Sequence, residues 1–261
     1  MKVSDDDIAL AARLADAAGQ VALRYFRTPV AVDDKADSSP VTVADRESER
    51  VMREMIARER PGDGIIGEEF GREREGASRV WVLDPIDGTK SFISGRPMFG
   101  ALIALAVDGT PALGVIDCSA IGERWTGAAG RPTVHRLRDG SEKAVRVRPC
   151  PDLGLATLYC SSPLMFKDSF PAFERVREKV KLPMYGGDCY AYGLVASGYA
   201  DLDIEASLNS YDFAALVPVI EGAGGVMTDW RGKPLDTGSD GRVIAAGDRR
   251  AHEQALALLG G

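Results

Sequence analysis

Residues 81–89 read Trp-Val-Leu-Asp-Pro-Ile-Asp-Gly-Thr, and this stretch decides the architecture. An apolar run typical of a buried strand leads directly into the carboxylates of Asp84 and Asp87. Two carboxylates ~4 Å apart repel each other by about 4 kcal/mol at an effective dielectric constant of 20, and a bound cation removes that cost. Mg²⁺ prefers a few carboxylates together with water and a substrate phosphate. The stretch therefore predicts a Mg²⁺ site of the kind that cleaves phosphate esters.

The bulk composition narrows the classes of function. A length of 261 residues suits one large domain or two closely packed halves. The net charge of −7 and the lack of a basic tract argue against nucleic acid as a partner. No apolar run approaches the ~20 residues of a membrane span, and the polar start shows no signal-peptide pattern, so no membrane partner is expected. The four scattered cysteines are typical of reduced thiols, and we expect a cytoplasmic location.

Hydrophobic periodicity divides the chain into two parts. The first part predicts helices over 4–26 and 45–60, strands over 65–69 and 80–83, and a hairpin with strands 99–107 and 111–117. The region 130–152, rich in Arg, Pro and Gly, is the predicted junction. Beyond it, the patterns predict strands at 155–160, 200–205, 226–228 and 243–246, and helices at 170–180, 189–197, 212–221 and 249–259. Residues 1–140 are thus expected to form an α+β half, and residues 141–261 an α/β half.

Acidic residues stand where predicted elements begin or end. They are Asp45, Glu68, Asp84, Asp87 and Asp212. Taken singly, each has an ordinary structural explanation as a helix N-terminal, loop or turn residue. The Asp84 and Asp87 pair is different, because it follows a buried strand and cannot easily hide two charges. Together the acids could hold two or three Mg²⁺ ions.

Residues 81–92, ending in Lys-Ser-Phe, resemble the first signature of the inositol monophosphatase family of Mg²⁺-dependent, lithium-sensitive phosphatases. The resemblance extends, in order and spacing, to segments 39–45, 66–69, 211–215 and 221–225. Ser91 stands where many members have Asn, and Tyr211 where many have Trp. The resemblance implies a layered αβαβα sandwich of the sugar-phosphatase type, a homodimer, and a first half that carries most metal ligands.

The resemblance also implies a role for each acid. Glu68, Asp84 and the Ile86 carbonyl would hold the metal that activates water. A second metal, facing the leaving oxygen, would be held by Asp84, Asp87 and Asp212. Asp45 would assist a third metal through water, and Thr89 with Glu68 would orient the attacking water. Hydrolysis would then proceed by in-line displacement without a covalent intermediate.

The substrate side is implied in the same way. The amides of Gly88 and Thr89 would receive the phosphate. Residues 186–192, Gly-Gly-Asp-Cys-Tyr-Ala-Tyr, look most like the histidinol-phosphate phosphatases of the family, with Gly187 and Asp188 in a substrate loop. Glu205 would be a further substrate acid. This implies hydrolysis of L-histidinol phosphate in histidine biosynthesis, with inositol 1-phosphate or broad specificity for sugar phosphates as the alternative.

Two other functions compete with this interpretation. Aspartyl-phosphate phosphatases use a D-x-D-x-T motif, but here two residues separate Asp84 from Asp87, which disfavours that mechanism. A non-catalytic Mg²⁺- or phosphate-binding regulatory protein is disfavoured by the full set of acids. Among residues outside the motifs, we expect Lys35 to be a loop cation with a possible role at the phosphate, Cys189 to be a packed thiol, and His135 and His252 to lie at the surface.

Overall fold

The structure is a computed structural model that describes residues 3–29, 31–34 and 40–260, so Lys35 and Ser39 lie outside the described residues. Its helices are α1 (Asp5–Tyr25), α2 (Val43–Glu59), α3 (Thr89–Ile93), α4 (Phe170–Arg177), α5 (Asp188–Ala196), α6 (Ser210–Phe213), α7 (Leu216–Gly222) and α8 (Arg249–Leu259). Its strands are β1 (Val32–Asp34), β2 (Pro40–Thr42), β3 (Gly64–Gly67), β4 (Gly71–Glu73), β5 (Arg79–Asp87), β6 (Gly100–Val107), β7 (Thr110–Cys118), β8 (Glu123–Ala128), β9 (Val134–Arg136), β10 (Glu142–Ala144), β11 (Thr157–Cys160), β12 (Leu182–Tyr185), β13 (Leu202–Glu205), β14 (Val226–Asp229) and β15 (Val243–Ala246). Short 3₁₀ segments cover Leu153–Leu155 and Pro163–Ser169.

Five layers stack on one another, which confirms the predicted αβαβα sandwich. Helices α1 and α2 cover one face of an eight-stranded sheet of order β10-β9-β8-β7-β6-β5-β3-β4. Helices α5 and α7 fill the space between that sheet and a five-stranded sheet of order β12-β11-β13-β15-β14. Helices α4 and α8 cover the outer face of the smaller sheet. Strands β1 and β2 pair separately.

The first two helices begin with matching caps. Ser4 caps α1 and exchanges hydrogen bonds with Asp7, and Thr42 caps α2 in the same way with Asp45. The apolar side of α1 is buried against the large sheet, as its periodicity predicts. The cap at Thr42 therefore sets both the start of α2 and the position of the Asp45 carboxylate.

Strand β5 continues beyond its predicted end at Leu83. It runs to Asp87, and its pairing with β6 shifts register between Asp84 and Asp87. A β-bulge of this kind accommodates Pro85 and re-aims the neighbouring side chains. Gly88 then adopts φ +81°, a left-handed conformation that turns the chain directly into α3. Asp84 and Asp87 therefore lie together at the point where the chain leaves the large sheet.

The hairpin between β6 and β7 is confirmed, with positive φ at both Asp108 and Gly109. Strands β1, β2, β4, β8, β9, β10 and β12 were not predicted. Strands β9 and β10 lie in the region expected to be a junction, and their short, largely polar sequences give no apolar alternation to detect. The single helix expected over 212–221 is two helices, α6 and α7. The division into halves at residue 140 stays a prediction.

The expected surface position of both histidines is wrong. His135 is 4% exposed, stacks on Trp125 with 4.2 Å between ring centroids, and lies 3.0 Å from a Glu123 oxygen. His252 is 3% exposed, and its Nε2 lies 2.8 Å from Thr228 Oγ1. Each imidazole has one nitrogen within hydrogen-bond distance of a polar partner, whereas Nδ1 of His135 is buried without a partner among the described residues. Across the described ranges, no helix has the length and apolar character to span a membrane.

Candidate active site

Three carboxylates meet where β5 leaves the sheet. Oxygens of Asp84, Asp87 and Asp212 all lie within 4.8 Å of one another. Asp84 is only 2% exposed, and its Oδ1 accepts a hydrogen bond from the Ile86 amide at 3.0 Å. Asp212 comes from the first turn of α6, where its Oδ2 accepts from the Asn209 amide at 2.6 Å. Packing of α6 against β5 therefore brings together residues more than a hundred positions apart.

Burial and mutual repulsion act on these acids together. Burial raises the pKa of Asp84 well above its usual value, and the charges of Glu68, Asp87 and Asp212 raise it further. Burial likewise raises the pKa of Asp87, with Asp188 and Asp212 adding to the shift. Within the described residues, neither Asp84 nor Asp87 forms an ion pair with Lys or Arg. A cation at this point would stabilise their ionised forms.

Glu68 reaches the cluster from the neighbouring strand. Because β3 runs parallel to β5, Glu68 follows the end of β3 beside Leu83, and its amide donates to the Leu83 carbonyl at 3.2 Å. Sequence reasoning missed the residue that supports this turn, Glu49 on α2. The fully buried Glu49 accepts hydrogen bonds from the amides of Glu69 at 2.7 Å and Phe70 at 3.2 Å, and it pairs with Arg53. No motif marks Glu49, which in the sequence looks like an ordinary helix-surface acid.

Asp45 stands at the outer side of the cluster. Its Oδ2 accepts from the Thr42 amide at 2.8 Å and the Thr42 hydroxyl at 2.6 Å. Its Oδ1 is buried and has no hydrogen-bond partner in the described part of the chain. Burial raises the pKa of Asp45, the bonds from Thr42 oppose this, and the charge of Glu68 adds to it. One oxygen of Asp45 is therefore available to a cation or to a water bound by one.

Thr89 opens α3 immediately after the bulge. Its Oγ1 donates to the Ile86 carbonyl at 3.1 Å, so the hydroxyl and this carbonyl lie side by side at the edge of the acidic cluster. The left-handed Gly88 places the amides at the start of α3 next to them. A cleft of about 520 Å³ opens beside Glu68 and extends to residues 208–211. A groove of similar volume around Arg131 and Glu221 is lined neither by Glu68 nor by any acid of the cluster.

A second acidic group lies on β13, close to Asp188 and Asp212. Asp203 and Glu205 alternate onto the same face of the strand, and both are 1% exposed. The Ser161 amide donates to Glu205 Oε1, but Glu205 Oε2 and Asp203 Oδ1 are buried without a hydrogen-bond partner among the described residues. Burial raises the pKa of Glu205 to about 8, with further contributions from Asp188 and Asp212. The Tyr192 phenol lies beside Asp203.

Of these residues, sequence reasoning found only Glu205. Tyr192 ends the recognised segment 186–192 but was given no role there. Ser161 and Asp203 belong to no recognised motif, although the alternation Asp-Leu-Asp-Ile-Glu over 201–205 could have indicated two acids on one face of a strand.

The predicted substrate loop, residues 186–192, contacts the end of β5 and helix α3 directly. The Cys189 amide donates to Asp87 Oδ2 at 2.7 Å, and the Ser91 hydroxyl donates to Asp188 Oδ2 at 2.7 Å. Gly187 precedes α5 and is buried against the Tyr159 ring. The Cys189 thiol is packed against Cys118, which together with burial raises its pKa well above the usual value. Cys189 is therefore a core residue whose backbone amide binds Asp87 and whose buried thiol also lies beside the Asp87 carboxylate.

The residues present fit a hard divalent cation. Clustered carboxylates, a backbone carbonyl and a buried carboxylate oxygen without a partner are the ligand types that Mg²⁺ takes in proteins. Within the described residues, the group of possible metal ligands that lie within 4.8 Å of one another consists of carboxylates alone, whereas softer metals prefer cysteine and histidine.

Comparison with known proteins identifies the group to which the chain belongs. The model of the inositol monophosphatase family matches residues 4–260. The chain belongs to the inositol monophosphatase family. As a member of this family, it is a phosphoric monoester hydrolase that acts on small phosphate monoesters.

Individual relatives differ in the substrate that their names give. The chain is 50% identical over 256 residues to the bifunctional phosphatase IMPL2 of Arabidopsis thaliana, covering 94% of this chain and 72% of the relative. It is 38% identical over 242 residues to a histidinol-phosphatase of Chlorobaculum parvum, covering 92% of each. A solved inositol monophosphatase from Zymomonas mobilis superimposes with a TM-score of 0.90 at 48% identity, covering 100% of both chains. Both substrate names thus occur among close members of the inositol monophosphatase family.

Proposed function

We propose that this protein is a Mg²⁺-dependent phosphatase whose preferred substrate is L-histidinol phosphate, which it would hydrolyse to L-histidinol and phosphate. The observation that carries the metal dependence is the cluster of Asp84, Asp87 and Asp212 within 4.8 Å, with two of its members lacking any ion pair with Lys or Arg in the described residues. Such a cluster is costly when ionised unless cations bind it.

Two or three Mg²⁺ ions would be shared among the residues of this site. One ion would be held by Glu68, Asp84 and the Ile86 carbonyl. A second would be held by Asp84, Asp87 and Asp212, and Asp45 would assist a third through water. When bound, Mg²⁺ would neutralise the phosphate charge and lower the pKa of water.

The remaining work falls to the chain itself. Glu68 and the Thr89 hydroxyl would orient the attacking water in line with the leaving oxygen. The Gly88 and Thr89 amides would receive the phosphate oxygens, and Asp87 would lie on the side of the leaving group. The leaving oxygen would gain a proton as the product alcohol departs. Holding the water in line supplies orientation that free solution lacks.

The substrate preference is supported by the acids of β13. Histidinol phosphate carries an ammonium and an imidazole beside its phosphate, and these groups need buried acceptors. Glu205 Oε2 and Asp203 Oδ1 are such acceptors, since both are buried and have no hydrogen-bond partner among the described residues. Inositol 1-phosphate carries no cation and would gain only hydrogen bonds from them. The histidinol-phosphatase among the relatives supports the same choice.

A substrate panel tests the proposal directly. Phosphate release would be followed with L-histidinol phosphate, inositol 1-phosphate, fructose 1,6-bisphosphate and a nucleotide 3′-phosphate, each with Mg²⁺ and with a chelator. We expect kcat/KM for histidinol phosphate to exceed the others by about tenfold or more. Comparable values for inositol 1-phosphate, favoured by the likeness to the Zymomonas mobilis enzyme, would replace the substrate assignment with broad specificity.

Two family properties belong to the same proposal. Lithium ions at millimolar concentration are expected to inhibit by competing at the second metal position, beside Asp87 and Asp212. A homodimer is expected by light scattering. Activity that is insensitive to lithium would argue against a second metal position of the proposed kind, and a monomer would reject the dimer.

A further inference from the structure

Three hydrogen bonds join the N-terminus of α5 to residues 87–96, the segment that runs from the end of β5 through α3. We call this segment the catalytic loop. The Cys189 amide donates to Asp87 Oδ2 at 2.7 Å, and the Ser91 hydroxyl donates to Asp188 Oδ2 at 2.7 Å. Arg96 Nη2 donates to the Gly186 carbonyl at 2.9 Å. These bonds join segments about a hundred residues apart, so the substrate loop and the start of α3 are held as one unit.

Asp188 adopts a conformation that few residues accept. Its φ is +45°, in the left-handed region, at the first position of a helix. Aspartate and asparagine tolerate this region better than other side chains, and strain of this kind persists only where contacts enforce it. The Asp188 carboxylate lies directly over Gly88, where an added Cβ would meet Asp188 Oδ2 at 3.0 Å. The contact that enforces the strain is therefore with the turn that precedes Thr89.

The Asp188 carboxylate is already engaged by other groups of the chain. Burial raises its pKa, whereas the Ser91 hydroxyl, the charges of Arg96 and Lys90, and the Ser161 hydroxyl all lower it. Glu205, on the facing strand, has a buried oxygen with no such partner in the described residues. Asp188 and Glu205, the two acids that sequence reasoning placed on the substrate side, therefore differ: other groups of the chain already engage the Asp188 carboxylate, whereas one oxygen of Glu205 has no hydrogen-bond partner in the described residues.

We infer that Ser91 and Asp188 form a clasp that fixes the substrate loop on the catalytic loop, so that Asp188 is a positioning residue and not a contact for the cation of the substrate. The clasp holds the Cys189 amide on Asp87. The inference rests on the phosphatase reaction proposed for this site but not on the identity of the substrate. It requires that breaking the clasp slows the hydrolysis of every phosphate ester to a similar degree.

Four variants separate a clasp from a substrate contact: Ser91→Ala, Asp188→Gly, the double variant and Asp188→Asn. Glycine keeps the left-handed backbone while removing the carboxylate, and asparagine keeps both the backbone and an acceptor for Ser91. The control is Ser141→Ala, because the Ser141 hydroxyl also donates to an aspartate, Asp139 Oδ1 at 2.6 Å, but in a distant exposed turn. Each protein would be assayed with histidinol phosphate and with β-glycerophosphate, an ester whose alcohol part carries no cation.

The clasp predicts matched losses on both esters. Ser91→Ala and Asp188→Gly should each lower kcat/KM about tenfold or more, the double variant should resemble Asp188→Gly alone, and Asp188→Asn should stay within about threefold of the natural protein. A selective loss of histidinol phosphate hydrolysis in Asp188→Asn, with Ser91→Ala unchanged, would overturn the inference and make Asp188 a substrate contact. Additive losses in the double variant would also overturn it.

A second readout does not depend on activity. Hydrogen exchange of the amides in residues 186–192 would be measured in metal-free protein, where Ser91→Ala and Asp188→Gly should speed exchange about tenfold and Ser141→Ala should not. Unchanged exchange in both clasp variants would refute the inference. If the natural protein shows no preference for histidinol phosphate, the substrate assignment falls, yet the clasp is still judged by the losses on β-glycerophosphate and by this exchange.

Discussion

Asp84 and Asp201 are equally buried, each 2% exposed, but only one of them has a cation from the chain. Asp201 accepts hydrogen bonds from Arg148 Nε at 2.7 Å and from the Thr157 amide at 2.7 Å. Asp84 accepts one from the Ile86 amide and otherwise faces further carboxylates. A buried carboxylate is stable only when it is paired and hydrogen-bonded. The Asp201 site is complete, whereas the Asp84 site is built for a cation that the chain does not supply.

The same contrast divides other buried acids of the molecule. Asp117 pairs with Arg124 at 2.6 Å and Glu49 with Arg53 at 2.7 Å, and both pairs support structure. In the described residues, the half-buried Asp87 and the buried Glu205 have no such ion pair, and both lie at the candidate site. Burial alone therefore does not mark function here. Burial without a cation from the chain does.

Substituting Asp84 should give the largest effect. Asp84→Asn preserves shape but removes the charge shared by both proposed metal positions, so we expect kcat to fall at least about 10³-fold. Steady-state phosphate release at saturating Mg²⁺ measures this. Near-normal turnover in Asp84→Asn would remove the basis for the contrast with Asp201.

Thr89 tests the role of an uncharged side chain beside the acidic cluster. Thr89→Ala should lower kcat about 10²-fold while KM stays within about threefold, because orienting the water matters most in the transition state. The matched control is Thr133→Ala, since the Thr133 hydroxyl likewise donates to a carbonyl, that of Val219 at 2.7 Å, but away from the site. A raised KM with unchanged kcat would assign Thr89 to substrate binding instead.

Glu205 tests whether a buried acid without a cation from the chain binds the cation of the substrate. A buried bond between an ammonium and a carboxylate contributes roughly 1.5–3 kcal/mol, which is about 10- to 150-fold in kcat/KM. Glu205→Gln should lose that factor for histidinol phosphate and remain within about threefold for inositol 1-phosphate. Equal losses on the two substrates, measured side by side, would show that Glu205 recognises no cation.

Glu205 also predicts a pH dependence of stability. Folding raises its pKa from 4.5 to about 8, so the protonated carboxyl is favoured in the folded state. Its stabilising contribution is complete below about pH 4.5 and is lost as the pH rises through about 8. Without ligand, Glu205→Gln should therefore gain stability relative to the natural protein as the pH rises between these values, by up to ~5 kcal/mol. Denaturant unfolding in metal-free buffer at pH 5 and pH 9 would measure the difference, and a constant difference would contradict it.

Asp201 should give the smallest effect on catalysis. Asp201→Asn leaves Arg148 without its charged partner, and we expect the free energy of unfolding to fall by roughly 1–3 kcal/mol. Turnover per folded molecule should change less than about twofold, since no reacting group depends on the pair. A large loss of kcat in a folded Asp201→Asn protein would show that paired acids also serve catalysis.

The parts of the fold that could be predicted are those that a short segment of sequence determines by itself. The caps at Ser4 and Thr42, the Asp108-Gly109 turn and the apolar runs of β5 and β6 all act locally, so short windows of sequence contain them. The acids at the ends of β3 and β5 were recognisable because a charge after a buried run needs a partner.

Other features depend on contacts between residues far apart in the sequence, which no short segment reveals. Glu49 supports the Glu68 turn from another element, and Asp203 meets Tyr192 only after β13 packs under α5. His135 is buried because it stacks on Trp125, and nothing near it in the sequence indicates that position. Strands β9 and β10 exist because β8 offers an edge to pair with, despite their polar sequence.

Direct metal binding tests most sharply whether buried acids without a cation from the chain form the metal site. Mg²⁺ would be titrated by calorimetry into chelator-treated natural protein, Asp84→Asn and Asp201→Asn, each in the presence of inorganic phosphate. We predict that the natural protein and Asp201→Asn bind Mg²⁺ with similar affinity, and that Asp84→Asn binds at least about tenfold more weakly. Equal binding by Asp84→Asn, or an equal loss in Asp201→Asn, would contradict the distinction between the two buried acids.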